Sequence, residues 1–404
     1  MTDRATASPP APRAPLREVF LAFLVLGLTS FGGPIAHLGY FRTAFVTRRR
    51  WLTEEAYADL VALAQFLPGP ASSQVGFALG WLRGGLPGAL VAWAAFTLPS
   101  ALLLVLFALT AGRLSDPLAL ALVSGLKIVA VAIVAQAVLG MAQSLCPDRN
   151  RATIAVAAAA LVLTVPGSFA QIAVIAFGAA AGIAVCPGQP AGHAGALPLR
   201  ISRRAGLVAF ALFALLLVGL PILAASSVTP ALAVADVFYR AGALVFGGGH
   251  VVLPLLEEGV VGRGWVTTGE FLTGYGITQA MPGPLFTFAA YLGALLQPGP
   301  HGLGGATIAL VAIFLPGLLL MTGALPFWSA IRDRPRARAA MQGTNAAVVG
   351  ILAAALYDPV FTGAIGNGRA FAVACVCFVL LVSWRTPPWI VVLAGMAGGT
   401  LVAL

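Results

Sequence analysis

The chain has 404 residues, 60% of them hydrophobic and only 9% charged, with a mean hydropathy of +0.97; a soluble domain carries about a quarter charged residues, so this composition excludes one. It indicates an all-α polytopic membrane protein. The net charge of +10 comes from Arg and a single Lys scattered between apolar runs, which excludes a nucleic-acid-binding patch and reads as a topology signal.

Residues 1–15 lack the apolar core of a signal peptide and are expected to form a disordered arm. The apolar stretch 16–46 is cut at Gly32-Gly33-Pro34, and the stretch 54–81 at Pro68-Gly69-Pro70. Each piece is about 14 residues, or about 21 Å of helix, which is short of the about 30 Å of hydrocarbon. Runs 86–110 and 117–143 are long enough to span, 152–186 reads as a short hairpin, and 187–204 as a cytoplasmic linker. Run 205–224 spans again. Stretches 236–262 and 268–296 are broken like the first two, at Gly247-Gly248-Gly249 and Pro282-Gly283-Pro284, and runs 303–325 and 340–357 span.

This order contains a repeat. Phe31-Gly-Gly-Pro34 recurs as Phe246-Gly-Gly-Gly249, Trp51 as Trp265, and Gln65-Phe-Leu-Pro-Gly-Pro70 as Gln279-Ala-Met-Pro-Gly-Pro284. Phe96-Thr-Leu-Pro99 answers Phe314-Leu-Pro316, and Gly125-Leu-Lys127 answers Gly343-Thr-Asn345. The sequence therefore divides into repeats over 16–186 and 205–404. Arginine placement favours re-entrant hairpins over full crossings: Arg4, Arg13, Arg17, Arg48, Arg49, Arg50 and Arg83 then share the cytoplasmic side. The second repeat meets its hairpins from the other side, so the two are expected to be inverted, with substrate near the midplane between discontinuous helices. In the rival arrangement each broken element crosses fully, and Arg48 to Arg50 lie opposite the N-terminal arm.

Mid-membrane breaks free backbone groups that hydrocarbon cannot satisfy, and a helix start offers N–H groups and a positive dipole end to an anion. The candidate binding residues are therefore Gly32, Gly33, Pro34, Pro68, Gly69, Pro70, Gly247, Gly248, Gly249, Pro282, Gly283 and Pro284, with Ser72, Ser73 and Gln74 as neutral donors. Lys127, inside an uncharged helix, is a candidate cation, with Asn345 its neutral counterpart and Arg240 a second cation. Gln65 and Gln279 precede their turns and either bind substrate or cap a neighbour; His37 and His250 flank the breaks as proton carriers or structural histidines. Asp59 and Glu257 are the first choices for proton coupling, against a role as interface anchors. Cys146, Cys186, Cys375 and Cys377 have no ligand or disulfide spacing, and no enzyme motif occurs. Neither a metal nor a cofactor is expected.

The run from Phe31 to Arg42, Trp51-Leu52, the run from Tyr57 to Gly76, Gly125-Leu-Lys127 and Pro147-Asp148-Arg149, with their weaker second copies, resemble the chromate ion transporters in their long two-domain form. The resemblance implies a bacterial inner-membrane protein, N-terminus cytoplasmic, that exports chromate on the proton motive force or membrane potential and confers resistance. It also assigns importance to Gly33, Pro34, His37, Arg42, Pro68, Gly69, Pro70, Ser72, Ser73, Gln74 and Lys127. One departure is Val25, where the family often has a basic residue before Gly27. The expected partners are chromate or the similarly shaped sulfate, the lipid bilayer and a second copy in a homodimer. Rocking of one half against the other would expose the site alternately. A sulfate transporter, an anion channel and a membrane interaction protein without transport are the alternatives.

Overall fold

The computed structural model describes residues 15–111, 116–165, 168–187, 201–226, 229–246, 249–297, 299–331 and 334–403, and these contain helices and no strand. The N-terminal arm, Arg113, Gly247, Gly248 and most of the 187–204 linker lie outside the described residues. In the first half, α1 (Leu16–Thr29) and α2 (Gly33–Phe41), the latter continued by a π-helical turn Arg42–Arg48, are followed by α3 (Glu54–Phe66), α4 (Ala71–Ala111), α5 (Pro117–Leu145), α6 (Arg149–Thr164) and α7 (Ser168–Val185). Helix α8 (Arg203–Ser226) comes next. The second half holds α9 (Pro230–Ala243), α10 (Val252–Leu256) with a π-helical turn Glu257–Val261, α11 (Thr268–Thr278), α12 (Phe288–Leu295), α13 (Gly302–Ala324), α14 (Trp328–Ile331), α15 (Pro335–Ala355), α16 (Thr362–Ala364), α17 (Gly368–Val382) and α18 (Pro388–Ala403). Among the described residues five stretches, containing α4, α5, α8, α13 and α15, are long and apolar enough to cross a membrane, at the places the run lengths predicted.

The broken elements fold back as hairpins. Glu18, at the start of α1, pairs with Arg83 at 3.6 Å, and the Arg83 guanidinium lies 5.2 Å from the centre of the Trp51 ring. The beginning of α1, the end of the α2 extension and the end of the first limb of α4 therefore share one level. Between them Phe23 of α1 stacks on Phe45 at 4.8 Å, a contact possible only if the chain turns back near Gly32. Gly85 then reverses α4 at φ +62°, so that Gly80 on the incoming limb lies against Gly88 and Ala92 on the outgoing one. The second half repeats this: Gln297 N–H donates to the Trp265 carbonyl at 3.1 Å, and Gly299 lies beside Pro230. Equivalent caps start the equivalent helices, Thr53 on α3 and Thr267 on α11, the latter in a reciprocal capping box with Glu270.

The outgoing limb of α4 passes both sets of hairpins. Near Gly88 it touches its own incoming limb, at Ser100 it meets Gly283 of the second half, and at Phe107 it stacks on Tyr291 of α12 at 6.1 Å. So α12 runs alongside α4 away from the Arg83 level.

The halves are also interlocked. Gly178 and Gly182 of α7 lie against Gly343 of α15, while the repeat-equivalent Gly395 and Gly399 of α18 lie against Gly125 of α5. Each pair is a Gly-x-x-x-Gly face, which lets two helix backbones approach closely in an environment where apolar side chains gain little by burial. The last helix of each half thus clasps the long helix of the other. Rocking of one half as a rigid body against the other, as expected from sequence, does not suit this arrangement, because each half holds a piece of its partner. Among the described residues helix α8 has no counterpart in the first half, and it presents Leu207, Val208, Leu215, Val218 and Ile222 outward.

Candidate functional site

All four breaks converge. Gly69 N–H, in the second turn of the first half, donates to the Val245 carbonyl at 2.7 Å; Gly283 N–H, in the second turn of the second half, donates to the Ser30 carbonyl at 2.9 Å. Ser30 and Val245 are repeat-equivalent, as are Gly69 and Gly283, so one bond becomes the other when the halves are exchanged. The equivalent Pro34 and Gly249 meet between them. Gly69 and Gly283 carry φ of +118° and +99°, values that glycine adopts without strain. Gly69 packs on Gly317 and Gly283 on Ser100, each just beyond the helix-kinking Pro316 or Pro99 of the opposite half. Gly32 and Gly33, at φ +98° and +79°, turn the chain into α2 with Pro34 in its first turn. Pro70 and Pro284 lead into α4 and the α12 segment, and their carbonyls accept from Gln74 and Thr287 N–H.

Most of the polar lining comes from the first half. Around the crossing the first half supplies Ser30, His37, Ser72, Ser73, Gln74, Thr97 and Ser100, all buried. The aligned positions for Ser30, His37, Ser72, Gln74 and Ser100 are Val245, Val252, Phe286, Phe288 and Gly317, whereas Ser73 aligns with the buried Thr287. The buried imidazole of His37 joins the two turns, with Nε2 3.2 Å from the Ser30 carbonyl and Nδ1 3.5 Å from Ser72 Oγ. Ser30 Oγ, Ser73 Oγ, Thr97 Oγ1 and, from the second half, Gln279 Nε2 are buried groups able to donate that have no hydrogen-bond partner, and the acceptor Gln74 Oε1 is unpaired as well. Buried polar atoms are nearly always paired, and each orphaned atom costs about 1–3 kcal/mol. Four unpaired donors on the residues of the crossing and its turns are what a guest with acceptor oxygens would satisfy.

Several candidates stand elsewhere. Gln74 does not offer its amide to a ligand: Nε2 donates to the Pro68 carbonyl at 2.9 Å and across the halves to Gly317 at 3.0 Å, so it braces the crossing. Gln65 is exposed on α3, whereas its partner Gln279 is half-buried with its Nε2 shielded from solvent. Lys127 lies over the start of α11, its Nζ 2.9 Å from where a Gly269 side chain would begin. That point is thirteen residues before Pro282, and the nine of them that reach the end of α11 at Thr278 already amount to about 14 Å of helix. Lys127 is half-buried and hydrogen-bonds no described residue. Its counterpart Asn345 is half-buried on α15, with Oδ1 unpaired. Arg240 is ion-paired with Asp236 at 2.5 Å, and Arg42 is exposed at the surface, bonded to Glu54 at 2.6 Å. His250 bonds Tyr275 at 2.7 Å. Asp59 is buried and accepts from Trp328 Nε1 at 2.9 Å, across the halves; Glu257 hydrogen-bonds no described residue and has Glu258 and Asp358 as acidic neighbours. Among the described residues no His, Cys, Asp and Glu gather as a metal site.

Sequence reasoning missed Ser30 and Thr97. For Ser30 the signal was present, since it is polar where its aligned Val245 is apolar; Thr97 is an insertion relative to Phe314-Leu-Pro316 and has no aligned residue.

A family model described as "Chromate transporter" matches residues 17–183 and again 232–400. The chromate transport protein of Pseudomonas aeruginosa is 28% identical over 88% of this chain and 84% of its own length. That of Cupriavidus metallidurans is 28% identical over 86% and 83%. A probable chromate transport protein of Synechococcus elongatus is 29% identical over 96% of both chains. No solved structure matches.

Proposed function

We infer that this chain, which belongs to the chromate transporter family, exports chromate as a secondary transporter of the bacterial inner membrane and holds the dianion at the crossing of its four helix breaks. It is a multi-pass membrane transporter and not an enzyme. The observation that carries the reading is the set of unpaired buried atoms at the crossing: Ser30 Oγ, Ser73 Oγ, Thr97 Oγ1 and Gln279 Nε2. Hydroxyls and an amide donate to an oxyanion without a fixed countercharge, so the bound ion is released as readily as it is held. Gly32, Gly33, Gly69 and Gly283 let backbone approach it. Lys127, over the start of α11 and so at the far end of that helix from the Pro282-Gly283-Pro284 turn, attracts the anion toward the crossing. Outward passage of two negative charges is favoured by an inside-negative potential at about 2.3 kcal/mol per charge per 100 mV. Where protons couple, Glu257 is the better carrier, because Asp59 is already committed to Trp328.

The test is chromate uptake into inside-out vesicles with an imposed potential. Ser73→Ala and Ser30→Ala are each expected to lower kcat/KM about tenfold or more, the effect of losing one hydrogen bond to a charged ligand, and excess sulfate is expected to compete. Wild-type rates in both variants would remove the crossing as the binding site. Absence of potential-dependent uptake in the wild type would remove export.

We further propose that residues 16–186 and 230–403 are inverted repeats, with α8 as the additional crossing that turns the second over. The course of α12 along α4, away from the Arg83 level, supports this, as does the start of the second family match at residue 232, after α8. In a background without the native cysteines, Arg50→Cys is expected to react with an impermeant maleimide only from the cytoplasmic face and Arg263→Cys only from the outer face. Labelling of both from one face would overturn the inversion.

A further inference from the structure

Helix α9 carries a charged pair that its repeat partner lacks. Asp236 is buried and Arg240 half-buried, whereas the aligned Leu21 and Val25 of α1 are 46% and 58% exposed on the outside of the molecule. Charges inside a membrane helix are costly and are kept where a cavity or a partner receives them. A cavity is present: a recess between α7, α9 and the π-helical turn, lined by Gln171, Arg240, Leu244, Glu258 and Arg263. Its inner end is Leu244, next to Val245, whose carbonyl receives Gly69 at the crossing. Its outer end is Arg263, which rests over Trp265 at 5.2 Å, at the mouth of the second half's hairpins.

Two groups of the ion pair keep unused capacity. Arg240 Nη2 holds Asp236 Oδ2 at 2.5 Å, yet Arg240 Nε and Asp236 Oδ1 are buried and unpaired. A guanidinium bonds a carboxylate or another planar or tetrahedral oxyanion best through two parallel N–H groups, so the present single-point contact is an incomplete one. Glu258, the one carboxylate lining the recess, is engaged by a contact of its own.

We propose that this recess is a second oxyanion subsite, on the way between the crossing and the Arg263 mouth, in which a divalent tetrahedral oxyanion replaces Asp236 as the partner of Arg240, with Arg263 guarding the opening. Asp236 is the resident competitor that prevents the ion from lodging there. This inference rests on the reading of the chain as an oxyanion transporter.

The full-length protein in proteoliposomes gives chromate KM and kcat, and the detergent-solubilised protein gives the rise in Tm produced by sulfate against chloride of equal ionic strength. Arg240→Gln is expected to raise KM about tenfold and to abolish the sulfate-induced rise, and Asp236→Asn to lower KM severalfold and enlarge that rise. The neutral, nearly isosteric pair Asp236→Asn/Arg240→Gln is expected to keep the high KM. If the double variant instead regains the wild-type KM and the wild-type response to sulfate, the pair only holds the fold together and the subsite is overturned. A wild type that moves no chromate but shows an Arg240-dependent response to sulfate keeps the subsite and removes the transport reading. Active transport with a sulfate response unaltered by Arg240→Gln removes the subsite alone.

Discussion

Gly343→Leu is expected to yield no folded protein at all, judged by loss of the monodisperse peak in detergent, and Gly125→Leu to do the same. A Cβ at Gly343 would sit 2.1 Å from the Gly178 carbonyl oxygen and 2.5 Å from the Gly182 Cα; at Gly125 it would sit 2.2 Å from the Gly395 carbonyl oxygen. These obstacles are backbone, which cannot rotate away as a side chain can. The helices must separate, and with them goes the close packing that associates helices in lipid. Overpacking typically costs about 1–3 kcal/mol where side chains can adjust, and here the cost exceeds that range, against a total stability of only about 5–15 kcal/mol. Gly140→Leu, on α5 with no atom within 4 Å of its would-be Cβ, is the control and is expected to fold normally. Equal yields from Gly343→Leu and Gly140→Leu would refute the interlocked packing.

Gly69→Ala and Gly283→Ala are expected to fold less stably and to lose nearly all transport. At Gly69 a Cβ would meet Gly317 Cα and Gln74 Nε2, both at 3.0 Å, and at Gly283 it would meet Ser100 Oγ at 2.8 Å. The positive φ adds about 1–2 kcal/mol for a residue other than glycine. Each substitution also pushes apart the turn that donates to Val245 or Ser30, so the crossing opens on one side. Because Ser100 Oγ is the obstacle at Gly283, the double variant Gly283→Ala/Ser100→Gly should recover part of the lost yield. No analogous relief exists at Gly69, where Gly317 is already glycine. Wild-type transport by Gly69→Ala would show that the turn does not shape the site.

The long helices and the four breaks could be read from the sequence because run length and Gly-Pro punctuation act locally: a helix of about 14 residues cannot cross, and a central Pro-Gly-Pro cannot continue one. The fold-back at Gly32 was indicated by the arginines alone, and Arg83 meeting Trp51 and Glu18 agrees with it. What could not be read was which helix packs on which. Gly178-x-x-x-Gly182 declares a face for close approach, but every apolar helix in a membrane is a potential partner, and the choice of α15 is made only in three dimensions. The same limit governed the site. Gln65 and Gln279 have identical places in the repeat, yet one faces outward and the other inward. Gln74 looked like a ligand donor and is consumed by the Pro68 and Gly317 carbonyls. Lys127 stands out in the sequence as the one lysine inside an uncharged run, but distance along the bundle is invisible to a sequence, and it lies over the start of α11.

The reciprocal clasp also fixes an order of biosynthesis. Helix α5 is made early, but the helix that covers its Gly125 is α18, which is made after every other described helix. At about 5–20 residues per second, the interval from Gly125 to Gly399 is on the order of 15 to 55 s, during which α5 stands in the bilayer with its glycine face open. Helix α7, by contrast, is finished before its own partner α15 exists. Neither half can mature alone, and chains interrupted anywhere before α18 expose the same unfilled groove. The nascent protein therefore depends on whatever shelters that groove at the translocon, and quality control has a single late event to inspect: the arrival of Gly395 and Gly399 on Gly125.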